Sequence, residues 1–177
     1  MNNRSNRLTR YLHWLMALIL LLAMLLGFYM TYTESYQLYA LHKSLAVIIA
    51  LLFIFRLYWR QRSPWPSIAK DSDHERLVSG AHKLLLGLVA LMLLSGISYS
   101  GFAGYGVALF GLEIIPSQYD PEGNAVPFHS ELSVMGQQIH HYTGFVFSAL
   151  VVCHIGAALK HHIVDKDNTL NRMLGKS

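Results

Sequence analysis

The chain has 177 residues, of which 53% are hydrophobic and only 14% charged, against about 25% charged in an ordinary soluble domain. That composition excludes a water-soluble globular enzyme. The net charge of +4 does not signal nucleic-acid binding either, because the positive residues are distributed as membrane topology requires.

Four apolar stretches, near 11–32, 40–59, 80–102 and 140–160, have the length of about 20 residues that crosses a hydrocarbon core of about 30 Å. Lipid offers no partner for backbone polar groups, so such runs are predicted to be helices. The fold expected is all-α: a transmembrane four-helix bundle forming one domain over residues 1–177. Thirteen of the fourteen Lys and Arg residues fall in the N-terminal tail, in 56–83, or from Lys160 onward. All three regions lie on one side of a four-span path, so both termini are expected to face the cytoplasm.

The first stretch follows Arg4, Arg7 and Arg10 and carries His13 near its start. Its apolar run to Leu26 is longer than a signal-peptide core, and no small-residue cleavage site follows, so it reads as a span. The second opens with His42 and Lys43, carries Arg56, and should end at Pro64-Trp65-Pro66. The third opens with His82 and Lys83. The connection 103–139 has no Lys or Arg, holds Pro116, Pro121, Pro127 and the turn-like Asp120-Pro121-Glu122-Gly123-Asn124, and is long enough to form a periplasmic cap. Within it, 130–134 could start a short helix leading into the fourth span. That span is expected to open at His140 and His141, to carry His154, and to end in Lys160-His161-His162. His74 and His129, in polar connections, read as surface residues. The single cysteine, Cys153, excludes a disulfide framework, and no CxxCH is present for covalent haem attachment.

His140 and His154 are fourteen residues apart, which on a helix means a rise of about 21 Å and a return to within about 40° of the same face. A polar ring inside hydrocarbon needs a partner, and haem iron is one. His13 and His154 share the inner depth, and His42 and His140 share the outer depth. Pairing by depth predicts two non-covalent haems, each between two neutral imidazoles with no open iron position, which suits electron transfer. His141, turned about 100° from His140, is the alternative outer ligand, and His82 is the alternative partner of His154. Arg56 lies fourteen residues beyond His42 and is expected either to reach a propionate of the inner haem or to snorkel to the interface like Arg60 and Arg62. Gly27, Gly87, Gly96, Gly144 and Gly156 allow close approach of either a helix or a porphyrin.

Leu12-His13-Trp14 after a short basic tail, Leu41-His42-Lys43, Gly80-Ala81-His82, His140, Cys153-His154 and the run Ala157 to His162 together resemble the bacterial cytochrome b561 family, as does the closing segment Asp165 to Met173. The resemblance covers nearly the whole chain. It implies a di-haem b cytochrome of the inner membrane, and in some members a superoxide oxidase that passes electrons to ubiquinone. On that reading Lys43 steers superoxide toward the outer haem, while His82, Lys83, His161 and His162 neighbour a quinone or a propionate. Asp165 and Asp167 read mainly as solvated tail residues. A second class of function is an electron carrier whose acidic cap docks a periplasmic redox protein.

Overall fold

The computed structural model describes residues 3–65 and 75–176. Four long helices dominate it: α1 (Asn3–Thr33), α2 (Tyr39–Arg62), α3 (Glu75–Phe102) and α4 (Ser130–Ile163), with a short α5 (Thr169–Leu174) at the C-terminal end. All four long helices have the length and apolar character to cross a membrane. Their outward faces are apolar and exposed, as at Leu18, Leu22, Leu51, Ile54, Leu94 and Val152, which is what a lipid-facing surface requires.

The helices outrun the hydrophobic stretches. α1 begins eight residues before position 11, and α4 begins at Ser130. His140 therefore does not open the fourth span as expected but lies ten residues inside it. The segment 130–139 is helical because it packs on α3: Ser133 Oγ donates to the Tyr99 carbonyl (3.1 Å) and Ser98 Oγ to the Leu132 carbonyl (3.1 Å). At Gly136 a side chain would sit 2.6 Å from Tyr99 N, so only glycine permits this approach. His129 is exposed, as expected, and also serves as the N-cap of α4, its Nδ1 accepting from Leu132 N at 3.4 Å. α2 ends at Arg62, with Ser63 N donating to the Trp59 carbonyl. The expected roles of Pro66 and His74 lie outside the described residues.

The all-α expectation needs one correction. The connection after α3 contains a two-stranded antiparallel hairpin, β1 (Val107–Leu109) and β2 (Leu112–Ile115), closed by Phe110-Gly111. An isolated bridge, Tyr119 to Ala125, follows it. The hairpin docks on α2 and forms the cap with residues 116–129.

Helices α1 and α2 pack together, and α3 packs closely on α4, but the backbones of these two pairs barely approach one another among the described residues. Side chains span the gap: Met16, Ala23, Ile49, Val89 and Phe147 form a buried cluster. Phe147 is seven residues from both His140 and His154, so this cluster separates two levels of histidine. At the other end, Trp14 Nε1 donates to the Met173 carbonyl (2.9 Å), tying α5 to α1 and bringing both ends of the described chain to the side opposite the cap.

Candidate haem sites

At the cap end, α2 and α4 bring His42 and His140 together with ring centroids 6.2 Å apart. At the terminal end, α1 and α4 bring His13 and His154 together at 6.4 Å. A metal–imidazole bond of about 2.0–2.1 Å on each side, with about 1.1 Å from nitrogen to ring centre, places two imidazoles on opposite sides of one metal at about 6.3 Å. Both pairs match that span, and both join the two helix pairs. The residues therefore fit haem.

The cap-end pair is the more fixed. His140 Nδ1 lies 3.0 Å from the Met92 carbonyl and 3.2 Å from Ser95 Oγ. A carbonyl only accepts, so Nδ1 carries the proton and Nε2 is left with its lone pair for a metal. Met92 and Ser95 escaped the sequence reading, although a serine within the apolar run of α3 is itself a signal. The ring stands against Gly96, where an added Cβ would be 3.1 Å from Cε1. His42 stands against Gly27 of α1 in the same way, at 3.4 Å. These two glycines thus make room for imidazoles, not for a helix or a porphyrin, the two uses expected of them. His42 Nδ1 is buried and makes no close hydrogen bond, with the Ala23 backbone acting on the same ring. His141 turns away to Tyr142 and Phe145.

The terminal end is more crowded. His82 of α3 lies 5.6 Å from His154, so three imidazoles converge at this end. Arg56 comes to this end too: its Nη2 is 3.4 Å from His13 Nδ1. Trp14 packs edge-on to His13 at 5.3 Å.

The remaining expected residues are dispersed. Lys83 lines an open surface cavity of about 490 Å3 with Glu75, Arg76, Ser79 and Gly80. His161 is held by the tail, with Nδ1 2.9 Å from Asp165 and 3.1 Å from Asp167. Those carboxylates are thus engaged and not simply solvated. The Lys160 ammonium, 2.8 Å from Asp165, holds the Asp165 carboxyl below the usual carboxylate range, with His161 adding to the effect. His162 Nδ1 is buried and unpartnered. No hydrogen bond, ion pair or ring contact joins His82 or Lys83 to His161 or His162 among the described residues. Lys43 is not free at the surface: Nζ donates to Ser100 Oγ (3.3 Å) and to the carbonyls of Tyr105 (3.0 Å) and Gly106 (3.1 Å). All three partners are neutral, so its charge is solvated by the cap without being cancelled.

Residues 4–176 match the family described as prokaryotic cytochrome b561. The chain belongs to that family. It is 33% identical over 172 residues to cytochrome b561 homolog 2 of Escherichia coli (strain K12), covering 93% of this chain and 88% of that protein. It is 26% identical over 179 residues to cytochrome b561 homolog 1 of the same organism, covering 97% of each. This cytochrome is a multi-pass membrane protein that transfers electrons through b-type haem.

Proposed function

We propose that this cytochrome carries two haems, one between His42 and His140 and one between His13 and His154, and moves electrons from superoxide on the periplasmic side to ubiquinone near the cytoplasmic side. The observation that carries the reading is the pair of matched imidazole separations, 6.2 and 6.4 Å, on one helix fourteen residues apart, a span of about 21 Å. His42 with His140 and His13 with His154 would hold the haems, which would supply one-electron exchange. The chain supplies the rest. Met92 and Ser95 fix the His140 tautomer, Phe147 and its neighbours keep water from the space between levels, and Lys43 holds a positive charge beside the cap-end pair.

The chemistry balances as two superoxide anions giving two dioxygen molecules and two electrons, with one ubiquinone taking those electrons and two protons to become ubiquinol. The distribution of Lys and Arg supports cytoplasmic termini, so the cap faces the superoxide. Arg56, which leans on His13, is the cation nearest the terminal-end pair and would meet a propionate there. His82 stands beside the same pair as the candidate neighbour of quinone. Lys83, His161 and His162 are further candidates at that end.

The test is a superoxide pulse on the purified protein with and without ubiquinone. Fast haem reduction followed by quinone-dependent reoxidation supports the enzyme. One observation favours a second reading, an electron-carrier subunit: Glu113, Asp120 and Glu122 are exposed or half-exposed on the cap and present an acidic surface to a basic redox protein. A two-haem spectrum indifferent to superoxide, but reduced by a basic periplasmic cytochrome, would replace the first reading with this one.

A further inference from the structure

The hairpin after α3 does not lie on top of the bundle. Gly27 of α1 faces His42, and Gly96 of α3 faces His140, which fixes the cap-end histidine level on both helices. α1 runs six residues beyond Gly27 to Thr33, and α3 six beyond Gly96 to Phe102, a rise of about 9 Å in each case. A tight 3-10 turn, Tyr36–Leu38, runs directly into α2 and takes it six residues above His42, a similar height. The hairpin docks along the side of α2 below that end. Phe110 N donates to Ser44 Oγ (2.9 Å). Ser44 is buried, two residues deeper than His42, and its Oγ in turn donates to the Ala40 carbonyl (2.8 Å) and approaches that of Ala108 (3.4 Å). The turn thus sits at the level of the cap-end histidines, about 9 Å below the ends of α1 and α3.

The side chains suit that depth and do not suit water. Phe110 and Leu112 are 69% exposed and Ile114 is 53% exposed, beside the exposed Leu41 of α2. Both turn residues have positive φ, 46° at Phe110 and 92° at Gly111. Water-exposed hairpins of this type favour Asn or Asp at the first position, and a bulky residue there is strained. Hydrocarbon also demands that backbone amides find internal partners, and Ser44 supplies one to Phe110, whose amide has no place in the two-strand ladder. The one carboxylate of the hairpin, Glu113, is turned back to the cap, its Oε1 accepting from Ser117 Oγ (3.1 Å) and Ser117 N (3.4 Å).

We infer that this hairpin is a membrane wedge: Phe110, Leu112 and Ile114 contact the acyl chains of the leaflet at the cap end, and the cap is anchored in lipid at the level of the His42–His140 pair. The continuity of this patch with the lipid-facing surface of α2 commits it to lipid and not to a second protein.

The experiment uses the full haem-loaded chain in phosphatidylcholine–phosphatidylglycerol vesicles, with Cys153→Ser as background. Nitroxide labels on Phe110→Cys, on Leu51→Cys of the lipid-facing side of α2 and on Asn124→Cys of the cap are compared for collision with dissolved oxygen and with a water-soluble nickel chelate. The expected result is an oxygen-to-nickel ratio at 110 severalfold above that at 124 and below that at 51, which lies seven residues deeper on α2 than Ser44. A ratio at 110 equal to that at 124 overturns the inference. So does dipolar broadening between labels at 110, which would mean that a second copy covers the patch. Leu112→Cys gives the same reading if Phe110→Cys fails to retain haem.

Discussion

Gly96→Ala tests the cap-end site through a single methyl group. The new Cβ would stand 3.1 Å from Cε1 and 3.2 Å from Nδ1 of His140, where relaxed carbon contacts need about 3.5–4.0 Å, so the ring must retreat by about 0.4 Å or more. The helices are held from parting by the Ser133 Oγ–Tyr99 carbonyl and Ser98 Oγ–Leu132 carbonyl hydrogen bonds between them. The retreat carries Nδ1 away from the Met92 carbonyl, now at 3.0 Å, toward the limit of hydrogen bonding. Losing that bond costs about 1–2 kcal/mol, which is a factor of about 5–30 in haem retention at this site. Gly27→Ala is the paired comparison: its Cβ would meet His42 at 3.4 and 3.8 Å, an ordinary contact, and should change retention little. Haem titration of the apoprotein, read by reduced-minus-oxidised spectra, separates the two. Equal retention in Gly96→Ala and wild type, or a larger loss in Gly27→Ala, would refute the geometry.

His154→Ala should leave one haem per chain by pyridine haemochromogen, with the cap-end signal kept, while His82→Ala should keep two; two haems in His154→Ala would sink the pairing. Ser44→Ala removes the acceptor of the Phe110 amide and should cost about 1–3 kcal/mol, seen as a lower midpoint of thermal haem release. Lys43→Met should slow haem reduction by superoxide about twofold, since a unit charge acting over about 10 Å of water is worth about 0.4 kcal/mol, and should flatten the dependence on salt; an unchanged rate would remove Lys43 from steering. The Asp165 carboxyl, held low by Lys160, contributes stability that is present above its ordinary range and lost as pH falls through its depressed folded value. Protection of the segment 165–176 from proteolysis should therefore be flat from neutral pH down to about pH 5, while Asp165→Asn should loosen it at pH 7.

Hydropathy located the spans because the bilayer imposes a length on apolar runs, but it reads membrane and not helix. It therefore left the extension of α4 to Ser130, where Ser133 and Gly136 pack on α3 above the apolar run, to the capping pattern at 130–134, which anticipated a helix there. The spacing of His140 and His154 exposed both histidine levels, since periodicity survives in sequence. The supports of those rings did not show: the Met92 carbonyl has no side-chain signature, and neither do the carbonyls of Tyr105 and Gly106 that hold Lys43. The hairpin was hidden for a related reason. Its turn is Phe110-Gly111, not the Asn-Gly or Asp-Gly that marks a hairpin in water, and an apolar turn is legible only once its depth beside Ser44 is known.

The two histidine levels differ in the tautomer that their hydrogen bonds select. At the cap end the Met92 carbonyl holds the His140 proton on Nδ1, which leaves Nε2 with the lone pair a metal ligand needs. At the terminal end Arg56 approaches His13 Nδ1, and a guanidinium can only donate. In that arrangement Nδ1 accepts and the proton of a neutral His13 lies on Nε2, the nitrogen facing away from Arg56. Ligation through Nε2 requires the other tautomer, in which two N–H groups would oppose each other. Were His13 to hold haem as proposed, Arg56 would have to leave it, and its charge, within a largely apolar bundle, would need an anion. A propionate would supply that anion, so Arg56→Met should weaken haem retention at the terminal end and leave the cap-end signal unchanged, and equal loss at both ends would refute the coupling.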